Sequence, residues 1–315
     1  MRLAIFSVLY CLALLLNLNT AAMSHPDAQI KVGTSLIDIS FAPGMEDDRL
    51  SVSRNQILDS LEKSARAVAD YFQHFPVSHL DIVVNPSDHY KINGTAYSGA
   101  EPMIILHIGY QTTLSDLHKD WVIVHEMVHL AFPPMRKRHN WIEEGLATYI
   151  EPIVRVRAGM MLEKDAWQWL LTGTPKGLPE YGDRGLDFTP TWGRRYWGGA
   201  VYFLLADIQI REQTNNKFGI EHALRAITSA GGTMQQQHTW SIIKTLNIGD
   251  SATGTGILTK LYNQMKDKPM KVDLDALWKR LGVSSRKNKI HFDKQAPQSW
   301  LRRAIIPSMS LDKNN

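Results

Sequence analysis

Cysteine is almost absent from this chain of 315 residues, and the single Cys11 lies in an apolar run near its start, residues 3–16. This run is shorter than the roughly 20 residues of a membrane-spanning helix and is followed by a polar stretch that ends in two alanines. The pattern predicts a signal peptide over residues 1–22 with cleavage near Ala22, and an uncleaved anchor is the alternative. Export to the periplasm or the extracellular space follows. The mature chain then has no cysteine, which excludes disulfide bonds.

Strong charge of one sign, internal repeats and long low-complexity segments are also lacking. The chain is 44% hydrophobic and 21% charged, with a formal net charge of +4. The densest basic cluster, residues 136–139, is short and is not interleaved with aromatic residues, so nucleic-acid binding is not expected. No stable membrane span is expected after signal removal, and the sequence does not indicate an oligomeric state.

The first half of the chain alternates patterns of strands and helices. Alternating β-branched and apolar residues predict strands, and apolar residues at helical spacing predict a helix. The predicted elements are a strand over residues 30–41, a helix over 53–75, and strands over 79–84 and 103–108, with a turn at Asn93 and Gly94. They lead into an apolar helix at residues 121–130.

The second half is dominated by leucine, alanine and tryptophan at helical spacing, with proline and glycine concentrated at residues 173–199. Helices are predicted over residues 164–171, 197–212, 220–229, 234–246, 256–265 and 274–281. The tail from Arg286 has no clear period and is not assigned. We expect two parts of one catalytic unit, a sheet lobe with zinc-binding helices over residues 23–150 and a helical lobe over 151–315.

The chemical signal begins at residues 121–130 (WVIVHEMVHL), where polar residues interrupt an apolar helix. His125 and His129 are four positions apart, so their imidazoles project to one side of the helix and can share one zinc ion. Glu126 lies one step round the helix, within reach of a metal-activated water. Two core histidines beside an unrelated glutamate are the alternative interpretation of the pattern taken alone.

A catalytic zinc ion usually has three protein ligands, so a third is required. Residues 141–149 (WIEEGLATY) offer Glu143 and Glu144, which point about 100° apart on a helix, so only one can face the metal. Thr148 and Glu151 align with Glu144 at spacings of four and seven. Spacing alone does not decide the ligand.

These two segments together resemble the gluzincin peptidases, which combine HExxH with a later W-x-x-E-G-x-x-x-Y segment. Residues 195–214, which begin RYWGG, resemble the helix after the active site in the glycyl aminopeptidase family, and aminopeptidase N-like enzymes have a similar Y-x-x-G start. The resemblance covers about residues 121–230. It implies an α+β, thermolysin-like two-lobe metallopeptidase domain, with an amino-terminal mixed sheet, active-site helices and a mainly helical carboxy-terminal lobe.

The resemblance also implies roles for individual residues. It makes Glu144, the glutamate before glycine, the third ligand of one zinc ion per chain, beside His125 and His129. It makes Tyr196 the hydrogen-bond donor to the oxyanion that develops on the substrate, and Glu126 the general base. The expected activity is zinc-dependent hydrolysis of peptide bonds in a peptide or protein substrate, through a metal-activated water.

One departure from the family concerns the substrate. The G-x-M-E-N segment that anchors the free amino terminus in aminopeptidase N-like enzymes is missing, and residues 94–101 occupy a comparable place. They can form an edge strand that pairs with a peptide, in which case Glu101 is a candidate for binding its amino terminus, or they form a plain surface turn. Aminopeptidase and endopeptidase action therefore both stay open. A non-catalytic peptide- or envelope-binding protein on the same fold is the alternative function.

Other conspicuous residues have plainer interpretations. Glu180, Asp183 and Asp187 lie in the loop rich in glycine and proline, and we expect solvated carboxylates there rather than a calcium site. Arg194 and Arg195 are candidates for holding a substrate carboxylate, or are simply surface residues. The aromatic group is expected in the core rather than as a sugar platform; it consists of Trp167, Trp169, Trp192 and Trp197.

Overall fold

The computed structural model of the chain describes residues 25–88, 92–287 and 289–307. The predicted signal peptide, residues 1–22, lies outside the described residues. The described part combines an amino-terminal mixed sheet with a mainly helical carboxy-terminal region. None of its helices is long and apolar enough to cross a membrane.

The amino-terminal sheet has five strands, in the order β1-β2-β3-β5-β4. They are β1 (Ala28–Val32), β2 (Ser35–Phe41), β3 (His79–Ser87), β4 (Asn93–Tyr97) and β5 (Met103–Gly109). The three inner strands are mutually parallel, and both edge strands run antiparallel to their neighbours. Alternate positions of the inner strands are buried, as a sheet with one covered face requires; they include Ile37, Ile39, Leu80, Ile82, Val84, Ile104 and Leu106.

Two predictions about this sheet are wrong. The single strand predicted over residues 30–41 is a hairpin of β1 and β2, because Gly33 adopts a positive φ of 60° and turns the chain. Asn93 and Gly94 do not form a turn but begin the edge strand β4, which pairs with β5. Gly94 is required there by a close approach, since a Cβ atom on it would lie 2.7 Å from Cγ of Glu126.

The first four helices pack beside the sheet and carry the sequence motifs. They are α1 (Arg54–Phe72), α2 (Leu114–Lys119), α3 (Val122–His129) and α4 (Asn140–Arg157). Helix α1 starts with a capping box between Ser53 and Gln56, and it packs against α3 and α4. Helix α3, which holds the two histidines, lies between α1, α4 and the edge strand β4.

The carboxy-terminal region is helical apart from one small hairpin. Its elements are α5 (Glu163–Gly173), a π-helical turn (Arg194–Gly198), α6 (Gly199–Gln213), α7 (Ile220–Ser229), α8 (Ile242–Thr253), α9 (Ile257–Met265), α10 (Leu274–Leu281), β6 (Val283–Arg286), β7 (Lys289–Phe292) and α11 (Ser299–Ile305). Strand β7 and helix α11 belong to the tail after Arg286, which has no clear hydrophobic period and was not assigned.

The helix predicted over residues 234–246 begins only at Ile242. The residues before it cross between the two halves of the molecule. The backbone of Met234 donates to Leu130 O and accepts from Gly99 N, and Trp240 N donates to Pro134 O. These bonds to distant loops replace the bonds that a helix would need at these positions.

Helices α4 and α6 meet at a pair of glycines. A Cβ atom on Gly145 would lie 2.2 Å from the Cα atom of Gly199, and one on Gly199 would lie 2.0 Å from the carbonyl oxygen of Trp141. Such distances leave no space for a side chain. The two backbones are therefore in direct contact at the centre of the helical region.

Replacement of Gly145 by alanine is expected to lower the free energy of unfolding by at least about 2 kcal/mol, because the two helices must move apart. In an unhindered helix the same change would stabilise the protein by roughly 0.5–1 kcal/mol. The measurement is urea denaturation followed by circular dichroism.

Gly99→Ala, in a loop, is the control, since a Cβ atom there would have no neighbour closer than 3.5 Å. It should change the free energy of unfolding by less than about 0.5 kcal/mol. Equal stability of the two variants would contradict the close contact between α4 and α6.

Candidate metal centre

Helix α3 brings the two histidines of the sequence motif to one side, as their spacing predicts. Their ring centroids are 4.9 Å apart, and both side chains are buried. Helix α4 brings Glu144 opposite them. Its Oε2 atom lies 3.5 Å from Nε2 of His125 and 3.6 Å from Nε2 of His129.

These three groups suit one zinc ion. Zinc binds imidazole nitrogen and carboxylate oxygen at about 2.0–2.2 Å, so tetrahedral ligand atoms lie roughly 3.4 Å apart. The two measured distances are close to that value, and all the candidate ligand atoms lie within 4.8 Å of one another. A pair of imidazoles and one carboxylate therefore form a donor set of suitable size and chemistry.

The charges at the centre affect one another strongly. Burial opposes the charged form of Glu144, but the two histidines outweigh burial and hold the pKa of its carboxyl well below the usual range. Burial lowers the pKa of His125. Burial also acts to lower the pKa of His129, but Glu144 raises it to about 9. The centre thus keeps a carboxylate that is anionic at neutral pH beside the imidazoles.

The neighbouring carboxylate, Glu143, points elsewhere. Its Oε1 atom accepts a hydrogen bond from the backbone of Met135 at 3.3 Å, and burial raises its pKa to about 7. Of the two adjacent glutamates, the structure places only Glu144 against both histidines. Glu144 is therefore the glutamate that lies where the resemblance implies a third ligand.

Glu126 is held by the edge strand. The backbone N–H of Ala96 donates to its Oε2 atom at 2.8 Å, which fixes the carboxylate above strand β4. A cleft of about 590 Å³ runs past Glu126, His125 and Tyr196, and Gly94 lines it from the strand. The carboxylate therefore faces a space that a substrate can enter.

Tyr196 reaches the same centre from the π-helical turn before α6. Its ring stacks on the imidazole of His125, with centroids 6.1 Å apart and planes at 14°. Burial and the carboxylate of Glu144 raise its pKa above the ordinary value. The hydroxyl therefore keeps its proton at neutral pH and can donate a hydrogen bond.

Two polar atoms beside the centre have no partner within the part of the chain that the structure describes. They are Nδ1 of His125 and Oγ1 of Thr148, both buried. Thr148 follows Glu144 by four positions on α4, but no hydrogen bond joins its hydroxyl to His125. Glu101, the candidate for binding an amino terminus, instead accepts a hydrogen bond from His79 at 2.7 Å.

The loop that carries Tyr196 is anchored by buried charges, which corrects the prediction of solvated carboxylates for Asp183 and Asp187, whereas Glu180 is exposed as predicted. Asp183 pairs with Arg194 at 2.7 Å, and Asp187 accepts hydrogen bonds from His139 and Trp141. Arg194 is thereby engaged in the loop and is not available to a substrate. The side chain of Arg195 makes no hydrogen bond or ion pair with any residue that the structure describes.

A second group of titratable residues lies on the outer face of the sheet and was missed by the sequence reasoning. Asp38, His79 and Asp81 come together there because Asp38 and Asp81 are paired across β2 and β3. The alternation of the strands is the only signal that places them on one face. They are partly exposed, and His79 is hydrogen-bonded to both Asp38 and Glu101.

Neither a protein-family model nor a curated protein matches the sequence. The fold is similar to solved structures of larger proteins. An aminopeptidase N family protein from Idiomarina loihiensis superposes with a TM-score of 0.60 at 14% identity, covering 81% of this chain and 49% of that chain. A variant M1 zinc metallopeptidase from Deinococcus radiodurans, bound to a Tyr-Ser-Ala substrate, gives 0.50 at 14% identity, covering 78% and 52%.

The chain spans about half the length of each of these two neighbours. At such low identity the similarity concerns the fold alone. The described residues therefore share an α+β fold, with a mixed sheet followed by helices, with M1 zinc metallopeptidases.

Proposed function

We propose that the protein is a zinc-dependent peptidase. The observation that carries this proposal is the convergence of five side chains. Three possible ligands on α3 and α4 lie together, and one of them, His125, lines a cleft with Glu126 and Tyr196. The fold similarity to M1 zinc metallopeptidases supports it. We also propose a thermolysin-like domain with a sheet lobe over residues 23–150 and a helical lobe over 151–315. We further propose that the protein is exported to the periplasm or the extracellular space.

In this proposal His125, His129 and Glu144 hold one zinc ion. Bound there, zinc would supply a Lewis acid that polarises the substrate carbonyl and lowers the pKa of water to about 7, which makes that water easier to deprotonate. The remaining chemistry belongs to residues of the chain. A purely structural zinc site fits less well, because such sites favour four protein ligands.

Glu126 is the general base and then the general acid. Its carboxylate faces the cleft and takes a proton from the attacking water, and it later delivers that proton to the leaving amine. The hydrogen bond from the backbone of Ala96 leaves the other carboxylate oxygen, Oε1, for this transfer. Tyr196 donates its hydroxyl hydrogen to the oxygen of the carbonyl as negative charge develops on it.

The first prediction concerns the ligand set. The unmutated protein should bind about one zinc ion per chain, and Glu144→Gln should weaken zinc binding by about 100-fold or more, because a neutral amide replaces an anionic ligand. Zinc content is measured by atomic spectroscopy after dialysis against a competing chelator.

Glu143→Gln is the matched control, since it makes the same chemical change one residue away. It should retain zinc, because the Glu143 side chain bonds to the backbone of Met135. Loss of zinc in this variant and retention in Glu144→Gln would reverse the assignment.

The second prediction concerns the base. Glu126→Gln should keep zinc but lower kcat/KM by roughly 10²–10⁴-fold, the usual contribution of general acid–base catalysis. Casein and a panel of peptides with free and blocked amino termini serve as substrates, and the blocked peptides separate endopeptidase from aminopeptidase action. Unchanged cleavage by Glu126→Gln would rule out this role, and zinc without cleavage by the unmutated protein would favour a peptide-binding protein.

The third prediction concerns the oxyanion. Tyr196→Phe should lower kcat by about 100-fold with little change in KM or zinc content, because it removes one hydrogen-bond donor to the transition state. Tyr181→Phe is the control, because Tyr181 lies in the same loop but is fully exposed. Equal rates for the two variants would remove Tyr196 from the mechanism.

A further inference from the structure

A small cavity opens beside the candidate metal centre, next to His125. Its volume is about 140 Å³, and His125 and Tyr196 form part of its wall. The rest of the wall is mainly four tryptophans, Trp121, Trp169, Trp192 and Trp197. A group in this cavity would therefore contact two residues to which the proposed function gives roles in hydrolysis.

The inner wall of the cavity is firmly packed. Trp169 and Trp197 contact each other with centroids 5.0 Å apart. Trp197 is 2% exposed, and it occupies the space that a side chain at Gly173 would need, since a Cβ atom there would lie 1.9 Å from its ring. The shape of this end of the cavity is thus built into the fold.

The outer wall is open to solvent. Trp192 is 59% exposed and stacks on Tyr196 with centroids 5.7 Å apart, and Trp121 is 39% exposed and packs edge-on against His125 at 5.0 Å. Large apolar side chains are seldom left this exposed without a reason when they lie together. The cavity adjoins the cleft beside the metal centre, because Trp121, His125 and Tyr196 line both.

The cavity offers no free charge to an occupant. Glu151 lies in its wall, but its carboxylate is bound by the guanidinium of Arg155 at 2.8 Å. Lysine and arginine are absent from the described residues of the wall, and the exposed Lys176 only lies over the rings of Trp192 and Trp197. A charged side chain would lose its hydration there without gaining a partner, which is costly.

The size limits the occupant further. An apolar cavity of about 150 Å³ in another protein holds one benzene molecule. A phenyl ring or a branched aliphatic side chain therefore fits, whereas an indole does not. A hydroxyl at the tip of the occupant would find a buried partner, because Oγ1 of Thr148 lies in the wall and has no hydrogen bond among the described residues.

We propose that this tryptophan-lined cavity receives the side chain of one residue flanking the scissile bond and selects a benzene-sized apolar side chain, that of phenylalanine, tyrosine or leucine. The inference rests on the proposed peptidase function and names its substrate class. Trp169 is the specificity-determining residue, because it forms part of the wall of both this cavity and a surface pocket of about 400 Å³ that Met160, Met161 and Leu162 also line. Trp121 and Glu151 line both as well, but Trp121 packs against His125 and Glu151 is paired with Arg155.

The test reads cleavage sites in a mixture of synthetic peptides by mass spectrometry. With the unmutated zinc-loaded protein, phenylalanine, tyrosine and leucine should exceed lysine, aspartate and tryptophan at one flanking position by at least about 10-fold. Trp169→Ala joins the cavity to the surface pocket, so the ratio of tryptophan to phenylalanine at that position should rise by about 10-fold or more. Trp300→Ala, in α11 and outside the cavity wall, should leave the profile unchanged.

Trp192→Ala is a second variant. It should fold normally, because the side chain of Trp192 is largely exposed. It should reduce the preference for phenylalanine without changing zinc content or the thermal unfolding temperature. A flat profile in the unmutated protein, a preference for lysine or arginine, or a profile insensitive to both tryptophan variants would overturn the inference while leaving the peptidase function intact.

A measurement of peptide binding tests the cavity independently of the peptidase function. The zinc-loaded Glu126→Gln protein is titrated by calorimetry with two peptides that differ only in one phenylalanine or lysine. A preference of at least about 10-fold for the phenylalanine peptide supports the cavity even if the unmutated protein cleaves nothing, a result that would reject the peptidase function alone. Equal affinity together with absent cleavage would reject both.

Discussion

The contact between Gly145 and Gly199 is the constraint on which the rest of the site depends. Glu144 directly precedes the first glycine, and Tyr196 lies three residues before the second. Because the backbones of α4 and α6 touch at this point, the distance between the carboxylate and the tyrosine is set by two chain segments that have no freedom to slide. The two histidines on α3 lie against Glu144, which this contact positions.

Buried electrostatics hold the remaining parts in place around that contact. The loop between α5 and α6 has little regular structure, but Asp183 and Asp187 fasten it to Arg194 and to His139 with Trp141. Breaking a buried ion pair leaves a charge without a partner, which is strongly unfavourable. These buried partners therefore hold the loop that carries Trp192 and Tyr196.

Much of the fold could be predicted from the sequence where one period dominates. Helices over residues 220–229 and 274–281 have the predicted bounds, since their apolar faces are clear. The failures have a common physical cause. Residues 93–94 and 234–241 take conformations dictated by distant partners, such as Glu126 and Leu130, and no local pattern encodes those partners.

The candidate site divides in the same way. The spacing of His125 and His129 on one helix was enough to place their rings together, and the role of Glu144 as the nearer carboxylate needed the resemblance. Local patterns did not predict three features of the site. They are the hydrogen bond from Ala96 to Glu126, the burial of Asp183 and Asp187, and the tryptophan-lined cavity. Each of them brings together segments that are distant in the sequence.

The π-helical turn at Arg194–Gly198 continues directly into α6, but its side chains point in other directions than a regular α-helix would give them. A π turn accommodates one residue more than an α turn, and one residue corresponds to about 100° around a helix axis. The side chains before Gly199 are therefore rotated relative to those of a regular extension of α6. Helix α6 is buried on nearly all sides within the helical core, while the rotated turn at its beginning directs Tyr196 out of that core and into the catalytic cleft.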